Sequence, residues 1–249
     1  TRRVQGLLRG EDVLFREGER ERWIRLVHAD QEGFINIKDP IPVYLAANGP
    51  RALQAVGELA DGWVTTFRSR RSLEPNFAKI ANAAEQAGRG PVKPYTGALT
   101  SGCVLREGES LTSDRVVAQL GPSILVGMHA QWEAVYGPGA DLGAQPDADL
   151  AAAYNTYIQE YAETSGTPSD RLYLDVHRGH MVFLKPGEER FATESALART
   201  LTGSGPEIIG QLEVMEAAGI DNVVVSVPNA QGARDFIQDF SREVIAKRG

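Results

Sequence analysis

Cysteine is nearly absent from this chain of 249 residues, which has one, Cys103. A single thiol excludes an internal disulfide and any metal site built on several cysteines. Its surroundings, Gly-Cys-Val-Leu, are apolar, so it reads as buried and inert rather than nucleophilic. No apolar run approaches the roughly 18 residues that a membrane-crossing helix needs, so no membrane partner is expected. Low-complexity tracts are missing as well. Positive charge is in deficit, with 26 Lys and Arg against 33 Asp and Glu and a net charge of −7. That balance disfavours non-specific attraction to nucleic acid or anionic lipid. No signal-peptide pattern is visible, and the expected location is cytoplasmic. The chain starts at Thr1, inside a run with helical spacing, TRRVQGLLRG, which reads as the start of a fragment cut from a longer protein.

What is present is ordinary for a globular protein: 42% apolar and 24% charged residues. Val4, Leu7 and Leu8 have helical spacing and Gly10 stops them. Residues 11–40 are charged and broken by Gly18, Gly33 and Asp39-Pro40, which suggests an excursion with short strands. The run 41–47 is continuously apolar, as a parallel strand buried on both faces would be. Ala52, Ala55, Val56, Leu59 and Ala60 then share one helical face, Asp61-Gly62 ends that helix, and 63–66 is a second strand. A helix over 73–87, with Phe77, Ile80, Ala84 and Ala87 inward and Gly88 as its stop, leads to a third strand at 95–105. The rhythm breaks over 106–200, where helical stretches at 113–136 and 149–164 are the main features. It resumes with a helix at 206–218, a buried strand at 222–227 and a final helix over 230–246. Alternating strand and helix argues for parallel α/β architecture. Four strand–helix pairs are too few to close a barrel of eight. The arithmetic therefore favours the carboxy-terminal half of a (β/α)8 TIM barrel. It is expected as one partial domain over 1–249, with barrel units at 1–105 and 201–249 and a helical insertion at 106–200.

The stretch Asn48-Gly49-Pro50 stands between the first strand and its helix. The carboxyl ends of parallel strands are where α/β folds bind ligands. Pro50 suits the first helical position, Gly49 lets a ligand approach the backbone, and the free N–H groups of the first turn favour an anion. Small Ala46 and Ala47 leave room for a flat ring or a phosphate tail. At the next strand end, Thr65, Thr66 and Arg68 form a candidate phosphate clamp. The bland alternatives are a well-capped link and a solvated basic patch, RSRR.

At these residues the chain resembles a known family. PVYLAANGPRAL followed by VGELADG is similar to the fifth and sixth β/α units of the luciferase-like flavin or deazaflavin oxidoreductases, with Val56 in place of the usual small residue. Leu201–Glu207 resembles that family's G-T-P-E-E helix start with an extra Ser-Gly, and AAGIDNVVVSV resembles its last strand. The resemblance implies a barrel with its longest insertion before the eighth strand, and coenzyme F-420 (F420) or FMN as cofactor. It implies that Ala46, Ala47, Asn48 and Gly49 line the ribityl–phosphate side and that Thr65, Thr66 and Arg68 hold phosphate. A basic residue at Arg68 tilts the choice slightly to F420. The implied activity is hydride transfer to, or monooxygenation of, a small organic substrate, in an enzyme expected to be a homodimer at full length. The first barrel units, which carry most acid/base groups in the family, have no counterpart here. Catalytic residues are therefore unassigned, and the chain alone is expected to be inactive.

His177-Arg178-Gly179-His180 is the densest polar cluster in the insertion and a candidate substrate contact through His177 and His180. No metal site is expected, because a third ligand is missing from the local sequence. Gly203-Ser204-Gly205-Pro206 reads as a plain helix cap at the amino-terminal end of the barrel. Trp132 and Tyr136 read as helix packing. A barrel lyase or isomerase would want a Schiff-base lysine at a strand end, and Lys38, Lys79, Lys93, Lys185 and Lys247 are elsewhere. A non-catalytic cofactor-binding barrel is the remaining alternative.

Overall fold

The computed structural model describes residues 1–28, 31, 36–39, 41–66, 70–90, 92–137, 147–227 and 230–248. The chain forms two compact units, Thr1–Leu99 with Val214–Val224, and Thr100–Glu213 with Val225–Gly249.

In the first unit, helix α1 (Arg2–Leu8) precedes an antiparallel hairpin of β1 (Val13–Glu17) and β2 (Arg20–Ile24), the short strands expected in the charged excursion. The α/β alternation then begins with β3 (Tyr44–Ala46), α2 (Pro50–Leu59), β4 (Gly62–Thr66), α3 (Arg70–Gln86) and β5 (Tyr95–Val104). β3 pairs with β4 and β4 with β5, both in parallel, with Leu45 opposite Trp63 and Thr65 opposite Ala98. The expected strand over 41–47 is shorter and less buried than its apolar run suggested. Ile41 is 50% exposed and Tyr44 44% exposed. The reason is position: among the described residues β3 ends the sheet path and is paired on one side, with β4.

Leu53, Val56, Gly57 and Ala60 form the buried face of α2, while Ala52 points out. The face is set by Gly57, where α2 meets α3: a Cβ there would lie 2.3 Å from the carbonyl oxygen of Ile80. Ala87, also expected inward, is exposed just past the end of α3. Two aspartates tie down strand starts. Asp61 Oδ2 accepts from the Val43 N–H at 2.8 Å, and Asp221 Oδ2 accepts from the Thr96 N–H at 2.8 Å.

The second unit contains the expected long helices, α4 (Asp114–Tyr136) and α5 (Ala148–Ser165). Asp147 caps α5 by accepting from the Leu150 N–H. Leu125, Met128 and Trp132 pack against Tyr154, Tyr157, Ile158, Val176 and Phe191 as its main core. Trp132 is thus packing, as expected, and donates its indole N–H to Asn155. Short helices α6 (Leu172–Val176) and α7 (Glu194–Leu197) follow. Then come β6 (Leu201–Gly203), α8 (Gly205–Ala217), β7 (Asn222–Ser226), α9 (Ala230–Phe240), a π-helical turn (Ser241–Ile245) and α10 (Ala246–Arg248), of which the end of α8 and the start of β7, within Val214–Val224, belong to the first unit.

β7 pairs with β5, so the four expected strands are present and neighbours in the expected order. β6 is additional, and pairs with β5 in parallel, Gly102 opposite Leu201. Three residues are too few to show alternation in sequence. β6 also corrects the placement of Gly203-Ser204-Gly205-Pro206. Its strand runs parallel to β5 and α8 starts directly after it, so this segment lies at the carboxyl, not the amino, end of the strands. The capping reading itself stands, since Glu207 Oε2 accepts from both the N–H and the hydroxyl of Ser204 at 2.7 Å. Cys103 is fully buried, and burial raises its thiol to about 11, which keeps it protonated and inert at neutral pH.

Candidate cofactor site

The turn after β3 is built from the neighbouring strand. The Ala47 N–H donates to the Val64 carbonyl at 3.1 Å, and the Trp63 indole N–H donates to the Ala47 carbonyl at 2.7 Å. Trp63 is itself fully buried, edge-on to Phe77 with ring centroids 5.2 Å apart. The Thr65 hydroxyl, in a residue only 4% exposed, donates to Asn48 Oδ1 at 3.2 Å. Three interactions therefore hold Ala47 and Asn48 before the chain enters α2.

Gly49 is the N-cap of α2, with φ −88° and ψ 159°, and Pro50 occupies the first helical turn. Gly49 has no side chain with which to cap the helix, and no side-chain cap is seen among the described residues. A Cβ placed on Gly49 would meet nothing within 4 Å. The result is an accessible helix start whose backbone N–H groups are not taken by a side-chain cap, on a turn braced from behind. Such a start attracts an anion through its N–H groups and its dipole.

Of the residues expected here, Asn48 and Thr65 are brought into contact, and Ala47 is buried beside them. Ala46, Gly49 and Thr66 are exposed. Thr65 spends its hydroxyl on Asn48, so its geometry is that of a brace. Arg68 lies outside the described residues.

His177 and His180, the other expected site residues, belong to the second unit, in the turn after α6. Their Nδ1 atoms are 3.4 Å apart. The structure adds His129 of α4, whose Nδ1 is 2.9 Å from that of His180. Sequence reasoning passed over His129 because it is a lone histidine on an apolar helix face. The signal available was Glu133 one turn later, which pairs with His177 instead. Lys185 and Glu188 were also passed over as a pair; they form a buried ion pair at 2.6 Å.

The luciferase-like monooxygenase family model matches residues 1–222. The chain belongs to that family. A luciferase-like relative, the F420-dependent glucose-6-phosphate dehydrogenase of Nakamurella multipartita, is 26% identical over 221 residues, covering 87% of this chain and 59% of the relative. Among solved structures, the coenzyme F420-dependent tetrahydromethanopterin reductase of Methanopyrus kandleri aligns with 99% of this chain and 61% of its own. The TM-score is 0.53 at 18% identity. An F420-dependent secondary alcohol dehydrogenase in complex with an F420–acetone adduct aligns with 99% of this chain and 59% of its own, with a TM-score of 0.51 at 15% identity. These likenesses establish the luciferase-like α/β fold. The chain spans about 60% of the length of the relatives it matches.

Proposed function

We propose that this chain holds the cofactor phosphate of an oxidoreductase that uses reduced F420 or FMN to reduce or oxygenate a small organic substrate. The carrying observation is the Asn48-Gly49-Pro50 turn, an accessible helix start braced by Thr65 and Trp63 at the carboxyl end of parallel strands. F420 is the first choice, since the three relatives named above are F420-dependent by name. The residues present fit such a group. Gly49 leaves space for it, the first-turn N–H groups of α2 offer donors to a phosphate, and Thr66 offers an exposed hydroxyl. Arg68 is proposed as the charged partner of that phosphate.

When bound, the cofactor supplies the redox chemistry, a hydride or activation of oxygen. This chain's part is to fix where it sits. Asn48, held by Thr65, sets the turn, and buried Trp63 fixes the Ala47 carbonyl behind it. Substrate-side proton transfer is not assigned to any residue of this chain.

The test is cofactor titration of the purified protein, followed by fluorescence of F420 or of FMN. Gly49→Val is compatible with the backbone at this position and its Cβ meets open space, so the variant should fold with only a small loss of stability at the N-cap. It should abolish binding at every salt concentration, by blocking the approach to the helix start. Arg68→Ala should weaken binding about 10- to 150-fold, the equivalent of roughly 1.5–3 kcal/mol for a charge-assisted bond, and Arg68→Lys should restore part of it. The Arg68 effect should shrink at high salt if the site is open to solvent. Equal binding by wild type, Gly49→Val and Arg68→Ala would remove this reading of the turn.

A further inference from the structure

We propose that His129, His177 and His180 form a binding site for one divalent transition-metal ion of the zinc class. Each can offer a ring nitrogen within 4.8 Å of the other two. Nδ1 atoms approach to 2.9 Å, His129 to His180, and to 3.4 Å, His177 to His180. Ligand nitrogens around a tetrahedral zinc are about 3.3 Å apart, from zinc–nitrogen bonds of roughly 2.0–2.1 Å. The cluster is therefore already close to ligand spacing.

The far side of one ring matches a metal site too. His177 Nε2 lies 2.7 Å from Glu133 Oε1, while His129 Nε2 is buried 3.7 Å from Glu188 Oε1, beyond hydrogen-bond distance. A carboxylate behind a ligating imidazole fixes its tautomer and raises its basicity. Proton accounting leads to the same place. With the His177 Nε2–H donated to the Glu133 carboxylate, the Nδ1 lone pair is turned toward His180. His180 Nδ1 faces both His177 and His129, and a single proton there cannot serve two neighbours. A cation at the centre accepts all three lone pairs.

Buried hydrogen bonds hold the surrounding turn. Fully buried Lys185 donates its ammonium to the carbonyls of Val176 and Arg178, at 3.3 Å and 3.2 Å, on either side of His177. The same ammonium pairs with Glu188, which also takes the Tyr154 hydroxyl at 2.6 Å and the Lys185 N–H at 2.8 Å. The turn then passes through left-handed backbone at Gly179 and Met181, with φ 85° and 59°. For a non-glycine residue such a conformation is uncommon. Access comes from the side of His177, whose side chain is 41% exposed, while that of His129 is 3% exposed. A fourth coordination position thus faces solvent, and the ion would tie α4 to the turn after α6.

Protein without a polyhistidine tag, stripped by chelator and dialysed, is titrated with zinc by calorimetry and with cobalt by visible spectroscopy. The expected result is one equivalent of either metal, a tetrahedral cobalt spectrum and a raised melting temperature. His177→Gln, at an exposed side chain, and His180→Gln should each lose the tetrahedral spectrum and most of the affinity. Glu133→Gln should keep the spectrum but bind about 10- to 100-fold more weakly. Far-UV circular dichroism checks that each variant is folded, and His177→Gln keeps the test valid if His180→Gln is not. The proposal is overturned if wild type takes up neither metal, if it gives only an octahedral aqua-type cobalt spectrum, or if it binds no better than His177→Gln.

Discussion

At Lys185 a fully buried ammonium meets a carboxylate, a phenol and two backbone carbonyls. A buried ammonium is tolerated only with a paired charge and satisfied donors, and Glu188, Tyr154 and two backbone carbonyls supply them. Removing one member leaves the other charge buried and unpaired. Lys185→Met should lower stability by about 3–5 kcal/mol, read as a fall in the urea midpoint, and adding Glu188→Leu should recover part of it. An unchanged midpoint in the single variant would mean that the pair is not buried in solution. A second residue-level expectation concerns Glu109. Its carboxylate takes both a charged pair and a hydrogen bond from Arg115, and it also accepts from the Arg106 N–H and the Ser113 hydroxyl. The Arg115 hydrogen bond leads in holding its pKa down to about 2. Because the folded value is depressed, the stabilisation is complete above the ordinary glutamate range and is lost as pH falls from roughly 4.5 towards 2. Glu109→Gln should melt lower than wild type at neutral pH and converge with it in acid. Parallel melting curves across that interval would refute the assignment.

Among the elements, the α2–α3 pair is the tightest contact and the most testable. Gly57 brings the two helices so close that a methyl group would meet the Ile80 carbonyl, the Ala83 methyl and the Ala84 nitrogen, all within 3 Å. Alanine is the better helix former, so propensity alone would predict a gain of about 1 kcal/mol. Overpacking against backbone costs roughly 1–3 kcal/mol. The clash should win, and Gly57→Ala should melt below wild type; a higher melting temperature would show that the helices can part without cost. The limits of sequence reading are also clearest among the elements. Helices with long stripes, α4 and α5 above all, were legible almost to the residue. The inward face of α2 was misjudged at Ala52, because its rotation is set by the partner helix at Gly57. β6 was not legible, because three residues carry no period. Gly102 is the trace it leaves, since a Cβ there would sit 3.0 Å from the Leu201 carbonyl.

For the whole molecule, the open edge of β3 has a consequence. Ile41, Tyr44 and Tyr95 are all more than 40% exposed, and the rings of Tyr44 and Tyr95 stack at 5.6 Å. A strand paired on one side, beside exposed apolar side chains, is a template for association. Sedimentation of the chain should show concentration-dependent self-association, and Tyr44→Lys should reduce it, because an edge lysine opposes edge-to-edge pairing. A monomer at every concentration would show that this edge is protected.

The sequence by itself determined the family, the parallel α/β alternation, the long helices α4 and α5 and the Asn48-Gly49-Pro50 turn. These are written in local periods and in turn residues whose backbone needs are fixed whatever surrounds them. Only the tertiary structure decided which hydroxyl braces Asn48, which face of α2 is inward and at which end of the strands Gly203-Ser204-Gly205-Pro206 lies. It alone joined His129 to His177 and His180, across 48 and 51 positions of chain. Contacts of that kind leave no spacing to read, because they depend on how α4 and the turn after α6 pack, and packing is settled by the shapes of many side chains at once.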